Sequence, residues 1–194
     1  PVDRSTVRYG LGAVKGTGEQ AVTAILKTRS AAGAFRDLFD FCRRVDKRLV
    51  NRRTIEALIR AGAFDSLDSH RARLLASVGI AMEAAEQAER NAMQVSLFDI
   101  FEAGGEEDRE HGPQYVEVAR WSERQKLNEE KLALGFYFSG HPFHSVQSEV
   151  SRFVRTRLAA LEARKEVQWL AGLVVGVRSK LTARGKMVFV QLDD

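Results

Sequence analysis

The feature that most limits the folds open to this chain is a change of hydrophobic period along it. As far as about residue 153, apolar residues return every three or four positions, the mark of amphipathic helix. From residue 167 they run almost continuously in β-branched and aromatic form. Val22, Ile25 and Leu26 share one face of a helix predicted over 19–29, with Gln20, Thr23 and Lys27 opposite. Phe35, Leu38, Phe39 and Cys42 form a stripe over 35–44, and Ile55, Leu58 and Ile59 form another over 52–61. Asn51 is placed to cap the start of that helix and Gly62 to end it. A long helix over 70–91 carries Leu74, Leu75, Val78, Ala81, Met82 and Ala85 on one side. Helix resumes over 121–134, stops near Gly135, and cannot pass Pro142, after which a short helix fits 145–153. Two strands over 167–177 and 187–192, joined by a polar loop over 178–186, close the chain. The expected fold is mainly α, followed by a β segment too small to stand alone in water.

Charge is segregated. Residues 1–62 hold 13 Lys and Arg against 6 Asp and Glu, residues 155–187 hold 8 against 2, and residues 99–117 hold one base and 7 acids. Two basic modules around an acidic connector point to a polyanionic partner touched twice. The stretch 94–118, with paired glycines, acids and Pro113, reads as a flexible connector. The lone cysteine, Cys42, excludes an intrachain disulfide, and no Cys–His set has zinc spacing, which together point to a reducing, cytoplasmic setting. No run of 18 apolar residues suggests a membrane span, and the start, lacking Met and an apolar leader, reads as an excised piece.

Three groups of residues carry candidate function. Lys15, Gly16, Thr17 and Gly18 form a glycine-bearing turn before the helix at Glu19, where unsatisfied backbone N–H groups suit a phosphate. Lys47, Arg48, Arg52 and Arg53 surround the next helix start and supply with side chains what the first turn supplies with backbone. Both would hold duplex DNA without reading bases. Gln94, Ser96, Leu97 and Phe98 have the make-up of a short docking motif, a polar anchor followed by two large apolar residues. The alternative is that Leu97 and Phe98 cap the chain's own core. Arg178, Lys180, Arg184 and Lys186 in the polar loop suit single-strand backbone, while Trp169 and Phe189 read as core. The acids at 99, 102 and 106–108 lack calcium-loop spacing, and His141 and His144 flank a helix stop, so no metal site is expected.

The two basic turns resemble tandem helix-hairpin-helix modules. Four strings, YGLGAVKGTG at 9–18, NRRTIEALIRAGAFD at 51–65, LGFYFSGHP at 134–142 and TARGKM at 182–187, are similar in order and spacing to the bacterial replicative DNA polymerase III alpha subunit. Nearly the whole chain is covered. The resemblance implies a tandem hairpin domain on duplex DNA over 1–92 and a beta sliding-clamp motif with acidic connector over 93–120. It further implies a helical linker region over 121–165 and the first strands of an incomplete OB domain over 166–194. It implies that the parent protein is a DNA-directed DNA polymerase of the bacterial cytoplasm, partnered by the clamp, by DNA in duplex and single-stranded form, and by other replisome subunits. In that family the catalytic aspartates and their Mg2+ lie in the palm, upstream, so no catalytic residue or cofactor is expected here. The competing readings are a purely structural connector and a hairpin module of a DNA repair protein. The QVSLF string at 94–98 disfavours an error-prone paralogue.

Overall fold

A computed structural model describes residues 9–98, 114–183 and 185–194, with the side chains of 93–98 left out. The chain divides into two compact units, Pro1–Phe136 and Tyr137–Asp194.

In the first unit a 3-10 turn at Leu11–Ala13 precedes α1 (Glu19–Ala32), α2 (Leu38–Arg44), α3 (Arg52–Arg60), α4 (Arg71–Phe98) and α5 (Glu123–Leu134). Each stop and start has a local cause. Asp37 accepts the Asp40 N–H at 2.7 Å and caps α2, so this helix begins at Leu38 rather than at Phe35. Asn51 accepts the Thr54 N–H at 3.0 Å and Ser122 accepts the Gln125 N–H at 3.2 Å, capping α3 and α5. Gly62 and Gly135, at φ of 83° and 93°, end α3 and α5 in the left-handed region that a glycine enters freely.

The core is the stripe set expected, with adjustments. Ile55, Leu58 and Ile59 of α3 and Leu74, Val78, Ala81 and Ala85 of α4 are buried, with Leu75 and Met82 packed against them. Phe41, not foreseen, is buried with Leu38 and Cys42 and meets Phe64 edge-to-face at 4.9 Å. Helix α1 turns Ala21 and Ile25 inward and leaves Leu26, about 100° round the axis from Ile25, exposed.

Helix α4 is longer than its periodicity predicted. Beyond Asn91 the sequence has no glycine or proline until Gly104, so the backbone stays helical through Phe98, and residues 94–98 are not connector. The rest of the acidic connector, 99–113, lies outside the described residues. Its end is fixed to the core. Tyr115 accepts the Leu38 N–H at 3.3 Å and stacks edge-on against Phe39, and the Val116 N–H reaches Ser77 Oγ at 2.9 Å. Helix α5, expected in a linker region, packs on α3 within this unit.

Arg71, at the start of α4, knits three elements together. Its guanidinium bonds both oxygens of Asp65, Glu130 Oε1 of α5 at 2.9 Å, and the Arg60 carbonyl at 3.2 Å. Arg71 is 5% exposed and the Glu130 side chain is 0% exposed. Burial alone would favour the neutral guanidine, but Asp65 and Glu130 outweigh it and hold Arg71 charged.

The second unit holds α6 (His144–Val150), a short 3-10 turn at Leu158–Ala160, and the strands β1 (Leu173–Thr182) and β2 (Gly185–Asp193), which pair antiparallel. The polar loop expected over 178–186 does not exist as a loop. Thr182 pairs with Gly185, whose φ of 117° takes up the reversal, so the ladder extends through the charged residues. His141 accepts the Phe143 N–H through Nδ1, and its Nε2 lies 3.3 Å from Asp193. Among the described residues no group of three metal-ligating side chains gathers.

Candidate nucleic-acid interface

The first turn is built by backbone. Gly16, at φ 84°, reverses the chain after the 3-10 turn, and Gly18 stands at the N-cap of α1 with no side chain to satisfy the first N–H groups. These groups, at the positive end of a 14-residue helix, suit an anion. Thr17, expected as a contact, is 8% exposed; its N–H bonds the Val14 carbonyl and its hydroxyl is buried without a partner among the described residues. The turn's geometry, not the threonine side chain, is what faces solvent. The Lys15 N–H bonds the Ala133 carbonyl at 2.8 Å. A Cβ on Gly135 would lie 3.2 Å from Lys15 Nζ, so this ammonium sits over the C-terminal end of α5, where carbonyl dipoles favour a cation.

The second turn joins the first through a residue that sequence reasoning passed over. Thr54, in the first turn of α3, is buried, and its Oγ1 lies 3.3 Å from the Gly16 carbonyl as well as from Asn51 Oδ1. The start of α3 is thereby set beside the glycine turn, although 38 residues separate Thr54 from Gly16. Arg52 and Arg53 are exposed at that start. Arg52 Nε donates to Glu56 Oε1 at 2.8 Å, an i,i+4 pair that the spacing alone could have revealed. Arg48 and Arg53 make no ion pair among the described residues. Lys47 is less free, since its Nζ lies 3.0 Å from Glu89 Oε2 on α4, a partner that no local pattern could have revealed.

Of the docking motif, the backbone of Gln94, Ser96, Leu97 and Phe98 forms the last turns of α4, and their side chains lie outside what is described. In the second unit the register separates the basic residues. Arg178 stands opposite Phe189 and Lys180 opposite Met187, so these four share one face of the hairpin. Lys186 stands opposite Leu181 and takes the other face, and Arg184 lies outside the described residues. Within this segment Phe189 is 54% exposed and Trp169 76% exposed.

Two hairpins whose turns meet through Thr54 and Gly16 form one helix-hairpin-helix unit, and the model of the helix-hairpin-helix motif matches residues 2–74. The chain as a whole is similar to proteins named DNA polymerase III subunit alpha. It is 47% identical to that of Neisseria meningitidis serogroup B over 194 residues, covering 100% of this chain and 16% of the relative. It is 40% identical to that of Vibrio cholerae over 195 residues and 39% identical to that of Escherichia coli K12 over 196, in each case covering 99% of this chain and 17% of the relative. Over its full length the chain is thus similar to DNA polymerase III alpha subunits, and it spans about a sixth of the length of these curated relatives. No described helix is long and apolar enough to cross a membrane.

Proposed function

We propose that this segment grips duplex DNA through phosphates at its paired hairpin turns and ties its parent polymerase to a beta sliding clamp through residues 94–98. The observation that carries the first half is the Thr54 contact with the Gly16 carbonyl, which gathers uncapped N–H groups of α1 with Arg52 and Arg53. Peptide N–H groups and guanidiniums at helix starts address phosphates rather than base edges. The name of the relatives supports the same reading. The parent is then a DNA-directed DNA polymerase working in the bacterial cytoplasm with other replisome subunits. Its Mg2+-assisted nucleotidyl transfer rests on residues other than these.

Fluorescence anisotropy with a labelled 20-base-pair duplex tests the grip. With about four phosphates neutralised, log K falls against log salt with a slope of about −3.6. Arg48→Ala and Arg53→Ala weaken binding to unrelated sequences alike and each flatten the slope by about 0.9. A preference for one sequence, or no binding at low salt, overturns the reading in favour of a structural connector.

The clamp half is supported by the course of α4. Residues 86–92 are all exposed, so the helix has left the core before Gln94 is reached. Along a helix, Gln94, Leu97 and Phe98 fall at i, i+3 and i+4, which puts the anchor and both apolar residues on one side. Calorimetric titration against a bacterial sliding clamp is expected to give a complex with the parent sequence and none with Leu97→Ala/Phe98→Ala. Equal binding by both excludes this motif.

The β-hairpin fits the opening strands of an OB domain. Its face of Arg178, Lys180, Met187 and Phe189 offers cations beside an aromatic ring, the combination that holds single-stranded DNA.

A further inference from the structure

Four of the basic residues assigned to DNA stand in very different surroundings. Arg48 and Arg53 are exposed, with no ion pair among the described residues, and Arg52 is paired within its own helix. Of the four, Lys47 alone is ion-paired to another element: Glu89 lies in α4, 42 residues away, and its carboxylate is 3.0 Å from the ammonium. The Lys47 side chain is 22% exposed and that of Glu89 62% exposed. The two line a cleft between the second turn and α4, with Arg43, Arg48 and Asp46, which accepts the Arg48 N–H, on the wall of the turn and Glu86 on that of α4. Glu86 is engaged elsewhere, 3.7 Å from Arg90 on its own helix.

A carboxylate on an ammonium occupies the position a phosphate oxygen would take. The strongly hydrated lysine head has three donors but one compact charge, so a phosphate gains fully only when the carboxylate lets go. We infer that Glu89 is an intramolecular competitor of DNA for Lys47, a positioning residue that holds this cation on α4 until a phosphate displaces it. This rests on the reading of the second turn as a phosphate contact. Lys47 is partly buried, but Glu89 is solvent-exposed and the pair is singly hydrogen-bonded, so its hold is small enough for DNA to overcome.

A competitor and a mere nearby negative charge make different predictions. Competition acts only through Lys47, whereas long-range repulsion of the duplex acts whether Lys47 is there or not. The experiment measures binding of the full chain to the labelled 20-base-pair duplex at fixed low salt for Glu89→Gln, Lys47→Gln, the double variant and Glu86→Gln. Competition predicts that Glu89→Gln tightens binding about two- to fivefold, the range set by an exposed ion pair. It predicts that this gain is absent in the Lys47→Gln background, the non-additivity expected of residues in contact. It further predicts that Glu86→Gln gains less than Glu89→Gln. An equal gain with and without Lys47, an equal gain from Glu86→Gln, or no gain at all while the parent chain binds, overturns the competitor role and leaves the hairpin reading standing. Absence of binding by the parent and every variant overturns the hairpin reading and this inference with it.

Discussion

Arg71 and Gly62 show how one side chain dictates its neighbour. A Cβ added to Gly62 would sit 2.3 Å from an Arg71 terminal nitrogen, and φ there is already 83°. Gly62→Ala is therefore expected to unfold at clearly lower denaturant than the parent, both by strain and by displacing the guanidinium. Glu130 is fully buried against that guanidinium, and Glu130→Ala leaves a buried cation short of a partner at a cost of about 3–5 kcal/mol. Urea titration followed by circular dichroism measures both. Cys42 offers a second check at this scale. Burial pushes its thiol up to about 12 despite the attraction of Lys47, so at pH 8 it resists iodoacetamide while the chain is folded and reacts when denaturant opens it. Rapid labelling of the native protein would contradict the packing around α2. None of these dependencies was legible in advance. The sequence marks Gly62 as a helix end, but the arginine over it comes from nine residues further on, and Glu130 from 59 beyond Arg71.

At the scale of elements, local chemistry was a good guide where one residue decides. Asn51 was readable as a cap because an amide before an apolar-periodic run has few other uses, and Asn51→Ala should cost about 1 kcal/mol in the same urea assay. Asp37 was missed because Phe35, which packs on Phe41 at 4.8 Å and under Arg44, mimics a helical position from outside the helix. The β-hairpin was misread for a related reason. Arg178, Lys180 and Lys186 look like a loop because they are charged, yet each is paired with an apolar residue across a ladder that runs through them to Thr182 and Gly185. Thr182 Oγ1, bonded to the Gly185 carbonyl at 2.8 Å, closes the actual turn. Glycine at 185 was the available signal, outweighed by the charges around it.

At the scale of the whole molecule, two carboxylates set the acid limit of the first unit. Burial raises Asp40, but the Arg36 N–H and the Arg44 and Arg43 guanidiniums overcome this and hold it below the usual carboxylate range. Asp68 is likewise lowered, burial being outweighed by the His70 N–H and Arg73. A carboxyl lowered in the folded state adds stability that is complete above its unfolded value near 4 and lost as pH falls through the folded one. The melting temperature is thus expected to be flat from neutral pH to about 5 and to drop below about 4. Asp40→Asn should shrink that drop, and an unchanged acid limb would show that other groups govern it. The broad design was legible: helical hairpins followed by a β segment follow from hydrophobic period, which acts along the chain. The meeting of the two turns was not, since it depends on Thr54 and Gly16 sharing a hydrogen bond across separate helices.

Because α4 is helical from Arg71 to Phe98, the angular phase of its end is locked to the core. Each inserted residue between Ala85 and Gln94 turns everything beyond it by about 100° and advances it about 1.5 Å. One added alanine would swing residues 94–98 to a different side of the axis, whereas seven, close to two full turns, would restore their bearing about 10 Å further out. A slack tether would make both insertions equivalent; a stiff one makes the single residue the more damaging.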